Sequence, residues 1–263
     1  MPVARHSRIW PSGGVHLWPS GATGSAHSHP RGHLVYAARG VLTIHTSTGI
    51  WIVPANRMAW IPPGSSHFHR AHGETDMRIV FLPPSLARRA PATPAVFLAS
   101  ALAREVLLAL TGDRHFEPSA RTRLHRVLVD ELVAAPEQPL HLPEPQDDRL
   151  RALAAILAAD PADTSDLTDL GRRVGASART LSRLFHDELG MTFYEWRIQV
   201  RIAHALVLLA AGHSTTHVAH ACGWSNPSGF IAAFTAVVGT TPGRHRSADL
   251  AHRGRAGPGG GGG

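Results

Sequence analysis

Hydrophobic positions in the last two fifths of the chain recur every three or four residues, the period of an α-helix with one packed face. This pattern predicts a helix over residues 167–174 and another over 178–188, joined by Gly175-Ala176-Ser177. Ser177 suits the N-cap, because its hydroxyl can accept a hydrogen bond from an unpaired helix N–H. The apolar residues on one face of the second helix are Leu181, Leu184 and Phe185. Two helices joined in this way indicate a helix-turn-helix.

A second unit of the same kind follows, with a turn at Gly223-Trp224-Ser225 and a helix over 226–238 that points Phe230 and Phe234 inward. We call the helices over 178–188 and 226–238 the first and second reader. Between the units, an apolar stripe predicts one long helix that would hold the readers at a fixed separation. The stripe comprises Phe193, Trp196, Val200, Ala203, Val207 and Ala210.

Residues 15–82 follow a different pattern, with short runs of β-branched and aromatic residues separated by Gly and Pro. The predicted strands cover 15–18, 34–37, 41–45, 50–53, 58–61 and 77–82. Regularly spaced short strands of this kind are typical of a small barrel or jelly roll.

The segment between these two parts predicts two amphipathic helices, over 95–110 and 119–134. Two interpretations stay open, because Leu-rich faces at this spacing can pair subunits or pack on the barrel of their own chain. The proline-rich residues 135–146 predict a stiff spacer and a domain boundary. A helix over 147–159 then opens the C-terminal domain.

Charge and composition favour a polyanionic partner. The formal net charge is +7, and all 26 basic side chains are Arg, for which GC-rich codon usage is the alternative explanation. Arg makes forked contacts to phosphates and guanine edges. Cys222 is the single cysteine, so an internal disulfide is excluded and a reducing compartment is indicated. We recognise neither a secretion signal nor a membrane-spanning run, and expect a cytoplasmic protein without membrane contact.

Two segments of the strand-rich part resemble the two cupin motifs, at residues 21–40 and 62–67, and the resemblance covers about residues 14–83. The histidines at motif positions are His27, His29, His33 and His67. The departures from the motifs are His33 in place of a glutamate, Asn56 in place of a glycine and Ala71 in place of an asparagine.

The cupin resemblance implies that these four histidines point into the barrel. Imidazole ligands suit Zn, Ni, Cu or Fe, so one interpretation is a metal site, and the other is an apolar effector pocket that needs no metal. His69 and His72 lie off the motif and are expected at the surface. Because the usual glutamate is absent and four histidines tend to close a metal site, we expect no enzymatic activity. A metallo-cupin enzyme is the alternative.

Several C-terminal segments resemble the AraC/XylS family of transcriptional regulators. They are Ser177-x-x-Thr-Leu-x-Arg-Leu-Phe185, Gly190-Met-Thr-Phe193, Arg201-Ile-Ala203, and Cys222-Gly-Trp224 through Gly239-x-x-Pro242-x-x-x-Arg246. The resemblance covers about the last two fifths of the chain and keeps its spacing through both units. It implies that the first reader touches bases through positions 179, 182 and 183.

The two readers differ in what they offer to DNA. The first carries Arg179 and Arg183, and a forked Arg–guanine contact discriminates by about 1–3 kcal/mol, although Arg183 has a phosphate contact as its alternative role. The second carries Ala232 where relatives often place Arg, so we expect the first half-site to hold most of the sequence selectivity. The predicted DNA-contacting residues are Arg179, Thr180, Ser182, Arg183, His186, Asn226, Ser228, Ile231, Ala232 and Thr235.

The predicted fold is multidomain α+β, with an N-terminal cupin-like β-barrel (jelly roll) and a C-terminal all-α double helix-turn-helix. The predicted segments are the barrel (1–83), connecting helices with a dimerisation role (84–134), a linker (135–146), the DNA-binding domain (147–250) and a disordered tail (251–263). We predict a transcriptional regulator that binds double-stranded promoter DNA under the control of a small-molecule effector in the barrel. Control by Zn, Ni or Fe at the histidines is the alternative. A homodimer, and RNA polymerase for an activator, are the further expected partners.

Overall fold

The structure, a computed structural model, describes residues 13–246, and the tail predicted to be disordered lies outside the described residues. Its N-terminal part is one antiparallel sheet with the order β1-β5-β2-β3-β7, in which β4 pairs with both β2 and β6. The strands are β1 (Gly14–Trp18), β2 (His33–Thr46), β3 (Gly49–Pro54), β4 (Arg57–Ile61), β5 (His67–Phe81), β6 (Ala95–Leu98) and β7 (His141–Pro143).

The sheet rolls up because β2 bends in its middle. Gly40 lies in the left-handed region, with φ 81°, and the register against β5 shifts between Ala37 and Val41. The first half of β2 pairs with β4 and the second half with β3, while β5 follows both halves. A Cβ at Gly40 would lie 2.7 Å from the carbonyl oxygen of Glu74, so the bend needs glycine there.

Two predictions were wrong, because two strands of the sheet, β6 and β7, lie in segments that were predicted to be a helix and a spacer. The helix predicted from residue 95 starts only at Ala101, since Ser100 caps it and residues 95–98 pair with β4. Part of the spacer predicted at 135–146 is strand β7, which pairs with β3. β7 is the last strand in the sheet order, and Pro143 is tolerated at an edge because it has no N–H to donate.

The helices are α1 (Pro84–Ala87), α2 (Ala101–Thr111), α3 (Pro118–Ala134), α4 (Asp148–Ala159), α5 (Leu167–Val174), α6 (Ala178–Leu189), α7 (Phe193–Ala210), α8 (Thr215–Ala221) and α9 (Pro227–Val238). They precede a further helical segment at residues 242–246. Helices α2 and α3 pack on the sheet of their own chain, where Leu107 and Leu128 join Tyr36 and Trp60 in one buried cluster. The predicted fold class, an antiparallel sheet domain followed by a helical double helix-turn-helix, is confirmed.

The long helix α7 connects the two helix-turn-helix units and also packs on the sheet. Its N-terminal half joins the core of the first unit through Trp196 and Val200. Ile202 and Leu206 belong to a cluster that contains sheet residues such as Ile52, and α7 contacts β2, β3 and β5. The sheet and the DNA-binding helices therefore share a continuous apolar contact.

Candidate functional site

The first reader, α6, separates a buried face from an exposed polar one. Leu181, Phe185 and Leu189 are buried against α4, α5 and α7. Ser177 caps the helix by accepting the backbone N–H of Thr180 at 3.1 Å. The predicted contact residues with exposed side chains are Arg179, Ser182, Arg183 and His186. Thr180 is half-buried, and its hydroxyl lies 2.9 Å from the Ser177 hydroxyl, so it supports the cap.

The second reader, α9, presents small and apolar side chains. Asn226 caps the helix by accepting the backbone N–H of Gly229 at 2.9 Å. The hydroxyl of Thr235 donates to the carbonyl of Ile231 at 2.7 Å, which occupies its hydrogen. The predicted contact residues exposed on this surface are Asn226, Ser228, Ile231 and Ala232. This surface suits thymine methyl groups and the DNA backbone, and it offers no guanidinium to a guanine edge.

Arg201 on α7 contacts both the loop before α5 and the turn of the second unit. Its Nε donates to the carbonyl of Pro161 at 3.0 Å and its Nη2 to that of Asp163 at 2.9 Å. Its guanidinium carbon also lies 5.6 Å from the centre of the Trp224 ring, in the turn of the second unit. These contacts give Arg201 a structural role in the DNA-binding domain.

Inside the rolled sheet, five histidines form one cluster, which we call the histidine cluster. Its members are His27, His29, His33, His67 and His69. The rings of His27 and His67 lie 4.5 Å apart between centres, and those of His29 and His33 lie 4.9 Å apart. One ring nitrogen from each of His27, His29 and His67 falls within 4.8 Å of the others, a separation that fits ligands of a single metal ion.

Two cluster histidines are oriented by the backbone. Nδ1 of His27 lies 2.8 Å from the carbonyl oxygen of Ser25, and Nδ1 of His67 lies 2.9 Å from that of Ser65. A carbonyl can only accept, so both Nδ1 atoms carry the proton and both Nε2 atoms keep a lone pair. The Nε2 of His67 is buried without a hydrogen-bond partner among the described residues. Metal-binding histidines show this arrangement, with one nitrogen donating to a carbonyl and the other free for the ion.

The prediction that His69 lies at the surface was wrong. His69 is 2% exposed, and its ring centre lies 5.1 Å from that of His67. Both residues lie on β5, and side chains two residues apart along a strand point to the same face. The spacing His67-x-His69 would therefore have predicted that both side chains face the cluster, provided that strand β5 was known to begin at His67. His72 was also expected at the surface and is half-buried.

Burial favours the neutral form of His33, His67 and His69. It lowers the pKa of His67 to about 4 and places the pKa values of His33 and His69 well below their usual range, with the neighbouring histidines adding to the effect in His69. Both ring nitrogens of His33 are buried without hydrogen-bond partners among the described residues. An unpaired buried imidazole is unfavourable, and a bound cation would satisfy its lone pair.

Polar residues also line the contact between the sheet and the DNA-binding helices. Arg57 is 2% exposed, and its Nη2 donates to the carbonyl of Val238, at the C-terminal end of the second reader, at 2.7 Å. Its Nη1 donates to Oδ1 of Asn56 at 2.6 Å. A cation at a helix C-terminus interacts favourably with the helix dipole. The sheet thus fixes one end of the second reader directly.

Acidification from pH 7 to pH 5 is expected to destabilise this contact. Burial lowers the pKa values of His72 and His245 to about 4, with Arg70 and Arg57 respectively adding to the effect. The unfolded chain takes up protons below its pKa of 6.5 while the folded one does not, so stability is complete above pH 6.5 and falls towards pH 4. We expect a loss of about 2 kcal/mol per histidine at pH 5, measured by urea unfolding.

The double variant His72→Gln/His245→Gln should lose a corresponding part of this pH dependence. The exposed His220 provides the matched control, and His220→Gln should keep the full dependence. Identical pH dependence in the double variant and the control would contradict the assignment.

The chain combines an antiparallel sheet domain, which contains the buried histidine cluster, with two helix-turn-helix units joined by one helix. This combination is typical of a DNA-binding regulator that carries its own ligand-binding domain. Comparison with known families agrees: residues 21–171 match the AraC-like ligand binding domain, and residues 170–248 match a helix-turn-helix domain. The chain belongs to the AraC family of transcriptional regulators.

Relatives cover most of the chain. The HTH-type transcriptional regulator NimR of Escherichia coli K12 is 33% identical over 234 residues, which are 88% of this chain and 85% of NimR. The HTH-type transcriptional regulator RipA of Corynebacterium glutamicum is 38% identical over 100 residues, 38% of this chain and 30% of RipA. Among solved structures, ToxT from Vibrio cholerae matches with 10% identity and a TM-score of 0.40, over 90% of this chain and 97% of ToxT.

Within residues 13–246, no helix is both long and apolar enough to cross a membrane.

Proposed function

We propose that the histidine cluster binds a divalent metal ion and that its occupancy controls how this AraC-family regulator binds promoter DNA. The observation that supports the proposal most strongly is the orientation of His27 and His67, whose Nδ1 protons are directed to backbone carbonyls. With Nδ1 donating to a carbonyl, each of these rings has Nε2 left for an ion. The all-nitrogen donor set suits Zn, Ni or Fe.

The residues present fit such an ion. His27, His29 and His67 would supply three nitrogens, and the buried His33 and His69 stand next to them as candidates for a fourth. The metal would supply positive charge and would crosslink the first cupin-type segment to β5. The metal-ligand group found among the described residues contains no carboxylate to act as acid or base. This composition supports a sensor rather than a metallo-cupin enzyme.

Metal content tests the proposal directly. Untagged protein, repleted with Zn, Ni or Fe and dialysed, should contain about one equivalent of metal per chain by elemental mass spectrometry. The variant His67→Gln should lose most of it, because His67 is one of the three grouped ligands, whereas His45→Gln should keep it, because His45 stacks on Phe68 outside the cluster. Wild-type protein without metal after repletion would exclude metal control and leave an organic effector.

We further propose that the first reader supplies most of the sequence selectivity. Selection from a random duplex library should yield sites in which one half is strictly defined and rich in guanine, because α6 exposes Arg179 and Arg183 while α9 exposes Ile231 and Ala232. The other half should tolerate substitution. Equally strict preference in both halves would contradict this assignment. The selected duplex then serves as the probe in the experiments below.

The proposal implies a cellular location and two further protein partners. An AraC-family regulator that occupies promoters acts in the cytoplasm, and as an activator it would contact RNA polymerase. Leu102 on α2 and Val133 on α3 are more than half exposed although both helices also pack on the sheet, which supports a homodimer through these helices. Sedimentation velocity of wild type and Leu102→Glu tests the dimer, and monomeric wild-type protein would contradict it.

A further inference from the structure

A cleft separate from the histidine cluster lies between the end of β5 and helices α2 and α3. Its volume is about 450 Å³, within the range of small-molecule sites. Its lining combines the apolar residues Val80, Phe81 and Leu110 with the basic side chains Arg31, Arg121 and His125. Neither aspartate nor glutamate is among the described residues that line it.

Arg31 is held against Phe81 by one hydrogen bond and by the contact of its guanidinium with the ring. Its Nη2 donates to the carbonyl of Phe81 at 3.3 Å, and its guanidinium carbon lies 5.7 Å from the centre of the Phe81 ring. Its Nε is buried and has no hydrogen-bond partner among the described residues. No acidic residue among the described lining of the cleft is available to this guanidinium, and an anion is the partner that a guanidinium favours.

The positive charges of this cleft act on one another. The pKa of His125 is lowered by burial and further by Arg121 and Arg31, so both guanidinium groups lie close enough to repel a charge on that ring. His125 is 8% exposed. Like charges gathered beside an apolar wall are stabilised when an anion binds between them.

We propose that this cleft binds a small organic anion, whose acid group pairs with Arg31 and Arg121 and whose apolar body lies against Phe81 and Leu110. Thr111 is not a further donor, because its hydroxyl already donates to the carbonyl of Leu107 at 2.7 Å. Carboxylates and phosphates both suit a planar guanidinium fork. The inference rests on the ligand-binding role of the sensor domain and names the class of its effector.

The cleft and the histidine cluster share Phe81. Its ring centre lies 5.0 Å from those of both His29 and His33. An anion that fixes Arg31 against Phe81 would therefore also restrict the rings of the cluster. Two ligands that order the same side chain bind cooperatively, so metal and anion should each increase the affinity of the other.

Calorimetric titration with 1-naphthoate tests the proposal, with neutral 1-naphthamide and inorganic phosphate as the comparison ligands. The protein is stripped of metal beforehand, so that a carboxylate has no metal to bind. Naphthoate should bind at least about tenfold more tightly than naphthamide, because only the acid forms charge-assisted hydrogen bonds. It should also exceed phosphate, which lacks the apolar body.

Arg121→Gln should weaken naphthoate binding by roughly ten- to a hundredfold, the range for a lost charged hydrogen bond. Arg123→Gln is the matched control, since it removes the same charge from an exposed position on the same helix, and it should bind within about twofold of wild type. Arg31→Gln should behave as Arg121→Gln does.

Equal binding of naphthoate and naphthamide, equal weakening by Arg121→Gln and Arg123→Gln, or no saturable binding at about 1–10 mM would overturn the proposal. If phosphate bound as tightly as naphthoate, the proposal that the ligand has an apolar organic body would be contradicted. The titration involves neither DNA nor metal, so its failure is distinguishable from failure of metal control.

Discussion

Replacing Arg179 and Arg183 together by alanine is expected to weaken binding to the selected duplex by about 2–6 kcal/mol, centred on roughly a thousandfold. Both side chains are exposed on α6, and their helix is held by a cap at Ser177 and by buried Leu181 and Phe185. The substitutions therefore remove the proposed base contacts without removing packing. Fluorescence anisotropy with the labelled duplex measures the loss.

The control removes the same charge elsewhere. Arg123 and Arg126 are exposed on α3, in the sensor domain, and the variant Arg123→Ala/Arg126→Ala should bind within about fivefold of wild type through the loss of long-range attraction alone. The single variants Arg179→Ala and Arg183→Ala then distinguish base contacts from phosphate contacts. Loss at every sequence alike would make Arg183 a phosphate contact, whereas relaxed preference at one position would make it a base contact. Equal affinities of the reader variant and the control would contradict base contact by α6.

Metal binding is expected to raise the unfolding temperature of the sensor domain by roughly 8–16 °C when free metal exceeds its dissociation constant a thousandfold, which corresponds to about 4 kcal/mol. The gain arises because the ion binds the assembled cluster and not the unfolded chain. His27→Gln should abolish the shift. His27 is half-buried at the edge of the cluster, so its replacement disturbs the surrounding core least.

His45→Gln serves as the control in this experiment, and it should retain the full shift, measured by calorimetry with and without a chelator. A shift of the same size in both variants would mean that the metal binds elsewhere. No shift in wild type would remove the metal from the account and leave the anionic effector as the ligand of the sensor domain.

Local pattern predicted the helix-turn-helix units because each helix carries its own signals. α5 runs from Leu167 to Val174 as predicted, with Asp166 as its cap and Gly175 in the left-handed conformation after it. The first reader ends one residue beyond the predicted helix, at Leu189. Caps, glycine stops and an apolar face all lie within a few residues of one another, so the sequence contains them explicitly.

Long-range pairing could not be predicted in the same way. β6 is four residues long, and its apolar residues continue the periodicity of α2, so the strand is defined only by its partner β4. β7 is defined by β3 alone. The hydrogen bond from Arg57 to Val238 joins residues 181 positions apart, and no local pattern announces it. Its donor is a buried arginine, and nothing in the sequence distinguishes it from the other arginines among the 26.

The histidine cluster was partly predictable. The motif spacing identified four members, and the fifth, His69, required the start of β5. The same strand explains how the cluster can influence the readers. Inward-facing His67 and His69 alternate on β5 with outward-facing residues. Farther along the strand, the pKa of His72 is lowered by burial first, then by Arg70 and His45, and His204 on α7 is close enough to contribute as well. We propose that a change inside the sheet reaches α7 through this strand.

This coupling is the central claim, and DNA affinity measured with and without metal tests it most directly. A ligand shifts an equilibrium only when it prefers one state, and coupling energies of about 1–3 kcal/mol are typical, which is roughly 5- to 150-fold in affinity. We expect the affinity of wild-type protein for the selected duplex to change by at least about fivefold between the metal-loaded and the chelated forms, with no change in His27→Gln. Equal affinity of the loaded and chelated wild-type protein, with metal content confirmed, would contradict metal control of DNA binding.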